Sequence, residues 1–199
     1  MSKFFRLTRS LPATLVALFA LATAAGSAHA APQAETYVGA NIGLYDKYDI
    51  KCNSGQKCDQ TASLGGKIYG GINYENFGVE VLAFGVGKGE GRLRQAGQDA
   101  QGTVKIGGLG VVGTLPLNFG DFTLKGKLGG AYTRGVANYT AGGSESKNSF
   151  GLLAGAGLSY AISKTLSVNA DYDYLSAKYN KAGDKANVNM FSVGMSYKF

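Results

Sequence analysis

The 199-residue chain has no tryptophan, three prolines, two cysteines and a single histidine, His29, which falls within the first 30 residues. General acid–base chemistry near neutral pH most often runs through imidazole, so residues 31–199 hold no His-based catalytic site. So few prolines leave no Pro-rich linker. Two cysteines with no histidine near them fall short of the four ligands of a structural zinc site. After residue 30 no apolar run approaches the roughly 20 residues of a membrane-crossing helix. Strands are not excluded, because a barrel crosses with about ten alternating residues per segment.

What is present begins with a leader. MSKFFRLTRS carries Lys3, Arg6 and Arg9 without an acid, LPATLVALFALATAAG is apolar, and SAHAA offers small residues at Ala28 and Ala30. A basic stretch, an apolar stretch and an A-x-A site form a secretory signal. Residues 1–30 are therefore expected to be cleaved and residues 31–199 to form one domain. Removing the leader takes three of the 20 basic residues and none of the 13 acids, leaving 17 against 13, a net charge of +4.

Thirty-one glycines, twelve tyrosines and ten phenylalanines suit twisted strands better than helices, where each Gly costs about 1 kcal/mol relative to Ala. Period-two alternation recurs in eight segments: 37–45, 63–74, 77–85, 103–115, 121–133, 150–162, 166–174 and 191–199. In the last, FSVGMSYKF, Phe191, Val193, Met195, Tyr197 and Phe199 alternate with small or polar residues. This is the pattern of a strand with one apolar face. Short connections (YENF, LPLNFGD, SKT) alternate with long polar ones (DKYDIKCNSGQKCDQTA, KGEGRLRQAGQDAQG, NYTAGGSESKNS, SAKYNKAGDKAN). Eight segments with short turns at one rim and long loops at the other predict an all-β, eight-stranded antiparallel transmembrane barrel.

Magnitudes choose the lipid face. A Lys or Arg toward lipid at mid-bilayer costs about 2–4 kcal/mol, so Lys67, Glu80, Lys105, Lys125, Lys127, Asp171 and Asp173 are expected to point into the lumen as a network of paired charges. Segment 103–115 fits least well, because Leu109 and Val111 share the parity of Lys105; a bulge or a locally apolar interior would account for it. A soluble barrel of lipocalin type would reverse both faces and leave the loop asymmetry unexplained.

SFGLLAGAGLSYAISKTLSVNADYDYL followed by FSVGMSYKF resembles the closing strands of the opacity-protein group. KIYGGINYENFGVEV is similar to a hairpin of the outer-membrane protein A type of barrel. The resemblance implies a barrel-only member of that family in the cell outer membrane, with extracellular loops. It also implies an assembly signal at Tyr197 and Phe199 read by the barrel-insertion machinery.

Cys52 and Cys58 lie in the first long connection as CNSGQKC, and an exported chain meets an oxidising compartment, so they are expected to form a disulfide. The Gly-rich runs GVGKGEG and GGLG precede no helix and so are not phosphate loops. Asp171, Asp173 and Lys127 could compose a His-free acid–base site, but an interior ion-pair network is the simpler expectation. In GRLRQ, Arg92 and Arg94 share one side of an extended segment, and guanidinium forks suit sulfate and carboxylate. The reading is a non-enzymatic surface protein, structural and adhesin-like, with no cofactor or metal. Its expected partners are outer-membrane lipid, lipopolysaccharide, the assembly machinery and a host or extracellular ligand at the loops, not nucleic acid. A narrow porin and an enzyme barrel are the alternatives.

Overall fold

The computed structural model describes residues 34–51, 57–95, 98–179 and 181–199. These form nine strand segments: β1 (Glu35–Lys51), β2 (Lys57–Ala62), β3 (Gly66–Asn73), β4 (Gly78–Gln95), β5 (Gln98–Phe119), β6 (Phe122–Tyr139), β7 (Ser144–Ala161), β8 (Leu166–Lys178) and β9 (Lys185–Lys198). β2 and β3 are two parts of one strand, since both pair antiparallel with β1 on the same side. Every later neighbour is antiparallel, and β1 pairs with β9. The result at belt level is a closed ring of eight antiparallel strands, which leaves no free edge there.

Alternation sets the two faces. On β6, Phe122, Leu124, Leu128 and Tyr132 point out while Lys125, Lys127, Ala131 and Thr133 point in. The outward residues join across the ring into an exposed apolar belt in which Leu128 is 64 % and Phe150 83 % exposed. Aromatic pairs border the belt. Tyr74–Phe77, Phe122–Tyr160 and Tyr197–Phe199 lie toward the short turns with ring centroids 4.8, 4.9 and 5.3 Å apart, and Tyr132–Phe150 lies toward the hairpins at 5.0 Å.

The long connections are mostly strand. β4, β6 and β7 each run 18 residues and β5 runs 22, well beyond the roughly 9–11 needed to cross a bilayer. Above the belt the ring divides. β7 and β8 pair only as far as Leu153↔Leu175, although β6–β7 pairing continues to Asn138↔Ser144 and β8–β9 to Lys178↔Lys185. On the other side β2 meets β4 only at Ala62↔Gly89. Two four-stranded sheets, β4-β5-β6-β7 and β8-β9-β1-β2, therefore face one another at the hairpin end.

Their facing surfaces form an apolar core of Tyr48, Ile50, Leu93, Val104, Ile106, Ala137, Leu175, Tyr179, Ala186 and Val188, each no more than 2 % exposed. Burying each larger aliphatic contributes about 1.5–3 kcal/mol. The sheets approach closely enough that a Cβ on Gly151 would sit 1.8 Å from the Ser176 carbonyl oxygen, and one on Gly135 2.6 Å from that of Lys178. Glycine is required at both by the second sheet's backbone. Hydrogen bonds also cross the divides, among them Tyr48 Oη to the Gly87 carbonyl at 2.8 Å, Lys178 N–H to Ser149 Oγ at 3.0 Å and Lys181 N–H to Glu145 Oε2 at 3.1 Å.

Two bulges permit this change of architecture. An extra residue in β1 between Gly43 and Tyr45 turns both Leu44 and Tyr45 outward, and one in β4 between Val86 and Gly89 turns both Val86 and Gly87 inward.

Candidate functional site

The belt level of the lumen is polar because every strand crossing it alternates, placing Asn41, Lys67, Glu80, Lys127, Asp171 and Asp173 inside, each less than 9 % exposed. Lys67 Nζ bonds a carboxylate oxygen of Asp173 and lies 3.1 Å from Asp171. Lys127 Nζ lies 3.2 Å from Glu80 and 3.2 Å from Asp171, and Lys125 Nζ 4.0 Å from Glu80. Tyr37 donates to Glu80 at 2.9 Å and Asn41 to Asp171 at 2.6 Å. The Lys125 ammonium also sits 4.1 Å from the centre of the Tyr37 ring. The Tyr69 hydroxyl lies between the Asn41 and Asn169 amides, at 3.3 and 2.9 Å.

Six of the seven residues expected in the lumen thus come together, and the seventh does not. Lys105 lies on the outer wall, exposed, while its neighbours Val104 and Ile106 are buried at 0 and 2 %. β5 keeps an unbroken register with β6, so no bulge in β5 rescues an inward Lys105. The interior at that height is apolar because it belongs to the two-sheet core. With Lys105 outside, three lysines face three carboxylates and the lumen network is neutral. This is the arrangement that low dielectric demands, since a surplus charge there would stay uncompensated.

A gap of about 10 Å³ lies among Tyr69, Glu80, Lys125, Lys127, Ser159, Asn169, Asp171 and Ser196, about one water. Above it the apolar core closes the hairpin end. Among the described residues no group of three or more His, Cys, Asp or Glu could hold a metal. Each of the three belt-level carboxylates, Glu80, Asp171 and Asp173, has a lysine partner.

Asp46, which the alternation did not single out, marks the join between the two levels. It is 2 % exposed; Oδ2 accepts from Gly87 N–H at 3.3 Å and Oδ1 has no partner among the described residues. The signal for it was an acid immediately after the outward pair Leu44–Tyr45.

Arg92 is exposed on the outer face of β4 opposite Gln101; the backbone of Arg94 pairs with Asp99, and its side chain lies outside the described residues. Residues 1–30 and the Cys52–Cys58 pairing also lie outside them. Tyr197 and Phe199 point outward at the short-turn rim, where Phe199 N–H donates to the Thr36 carbonyl at 3.1 Å and so joins the last residue to β1.

The family model for the outer membrane protein beta-barrel domain matches residues 13–199. The chain belongs to this family. Its place is the outer membrane, which makes the apolar belt its lipid face and the hairpin end its outer side. Among solved structures it is similar to Neisserial surface protein A (16 % identity, TM-score 0.63, 84 % of this chain and 99 % of that one). It is similar also to Ail, the attachment invasion locus protein of Yersinia pestis, in complex with the heparin analogue sucrose octasulfate (21 %, 0.51, 83 % and 99 %). A major outer membrane protein from Thermus thermophilus matches as well (13 %, 0.56, 84 % and 100 %). At these identities the likeness establishes the eight-stranded fold. No curated protein matches the sequence.

Proposed function

We propose that this protein is a non-enzymatic barrel whose work lies on its outside: it braces the outer membrane and presents a rigid, adhesin-like surface beyond it. The observation that carries this reading is the filled interior, with neutral ion pairs at belt level and an apolar core above. Such an interior offers neither a passage nor a substrate cleft. The two-sheet extension carries strands of 18 and 22 residues beyond the belt and so presents an ordered outer surface there.

Arg92, with Arg94 in the same outer hairpin, is the proposed contact for a sulfated or acidic ligand, since guanidinium forks match those groups. The sulfated analogue bound to Ail, a protein of the same fold, supports the choice of ligand class. Export through a leader cleaved after Ala30 and a Cys52–Cys58 staple at the tip of the first hairpin belong to the same reading. The test is heparin binding by intact cells carrying Arg92→Ala with Arg94→Ala. Binding should fall and be lost steeply with salt; parental binding at low salt would remove these residues from the account.

A further inference from the structure

Lys105 and Arg134 are both exposed on the outer wall, and neither has a hydrogen-bond or ion-pair partner among the described residues. Exposed cations are ordinary in water, but these two stand at the edge of the lipid. The next outward residues toward the membrane are Leu109 below Lys105, beyond Gly107, and Tyr132 below Arg134. Lys105 pairs across the strands with Val136, so Arg134 is its diagonal neighbour, at roughly 7–8 Å. Two long side chains at that separation can close on one tetrahedral anion.

The wall beside them is bare. Arg134 lies directly opposite Gly107, Gly107 opposite Gly85, and Gly85 opposite Gly66. A side chain on Gly85 would meet nothing within 4 Å, so packing does not demand glycine there. From Gly85 a shallow apolar groove runs along the belt past Ala83, Ile68, Ala40 and Met195. Lys88, on the same outer face of β4, is already paired with Glu90 at 2.6 Å. Cations at the headgroup level, an open floor beside them and an apolar channel below match one kind of molecule: an amphiphile with an anionic head and acyl chains.

We infer that Lys105 and Arg134 bind the phosphate of an acylated lipid of the outer leaflet, with an acyl chain lying along the groove that begins at Gly85. Two charge-assisted hydrogen bonds hold the phosphate, and the lipid's position in its own leaflet supplies the rest. The inference depends on the outer-membrane placement and not on adhesion. Loss of heparin binding in the Arg92/Arg94 variant would leave it standing.

The test is native mass spectrometry of the refolded mature protein with purified phosphorylated lipid A, beside the same lipid A with its phosphates removed. The parent should retain the phosphorylated form, and Lys105→Gln with Arg134→Gln should lower its affinity by roughly tenfold or more. Lys88→Gln should leave it unchanged. Gly85→Leu should weaken retention while leaving both cations in place. Each variant keeps the fold, because all four positions face outward, and the heat-dependent gel shift of the barrel checks this. Equal binding by the double variant, or equal binding of the dephosphorylated lipid to the parent, would overturn the proposal. Full displacement by millimolar inorganic phosphate would overturn the lipid assignment in favour of a simple anion site.

Discussion

Replacing Glu80 by Gln tests the lumen network at its most enclosed member. Glu80 has no exposed surface; Oε1 faces Lys127 Nζ at 3.2 Å, Oε2 accepts from Tyr37 at 2.9 Å, and Lys125 Nζ lies 4.0 Å away. Glutamine keeps the shape and the Tyr37 hydrogen bond but leaves three lysines facing two carboxylates. Removing one partner of a buried pair costs about 3–5 kcal/mol, because the other charge remains. Adding Lys127→Met restores neutrality, with Lys67 and Lys125 against Asp171 and Asp173, so the double variant should recover part of the loss. Residues in one ion-pair network typically show coupling of about 0.5–3 kcal/mol. Urea unfolding in vesicles measures both, followed by far-ultraviolet circular dichroism since the chain has no tryptophan. A loss under about 1 kcal/mol for the single variant, or strict additivity in the double, would show that water screens these charges and that the lumen is not closed.

Other outcomes follow from the same geometry. Lys105→Glu should change stability by less than about 0.5 kcal/mol, as an exposed surface site does, while Lys127→Glu should prevent refolding; equal damage from the two would return Lys105 to the interior. Asp46→Asn should stabilise by about 1–3 kcal/mol, since it removes a buried carboxylate whose Oδ1 has no partner among the described residues, and an unchanged urea midpoint would mean that water reaches it. Leu175→Ala should cost about 2–5 kcal/mol by opening a cavity in the two-sheet core, which a loosely packed hairpin end would not show. Deleting Phe199 should lower assembled protein in cells yet leave detergent refolding nearly intact; equal cellular levels would refute its role as an assembly signal.

Alternation made the belt legible because lipid outside and polar partners inside impose opposite demands on successive residues. Phe191 to Phe199 and Leu166 to Tyr174 obey it without exception. Above the belt the solvent changes. Outward positions become polar and inward ones apolar, so the same parity reads as the reverse face. Lys105 is the place where this matters: Val104 and Ile106 announce an apolar interior, and the lysine between them is outside for that reason. The long connections hid their strands in the same way. KGEGRL alternates the charged outward residues Lys88, Glu90 and Arg92 with Gly89, Gly91 and Leu93 inside, a signal that a search for apolar outward faces passes over. The divided ring was not legible, because it depends on where β7 and β8 stop pairing, and nothing local to either strand states it.

The central claim is that the interior is closed twice, by charge pairs at the level of the lipid and by an apolar core above. Planar-bilayer recording of the refolded mature protein addresses it directly. The account predicts no large, steady conductance for the parent and flickering, salt-dependent openings only when Glu80→Gln is combined with Leu175→Ala. A stable, ion-selective pore in the unmutated protein would contradict it and make the barrel a channel.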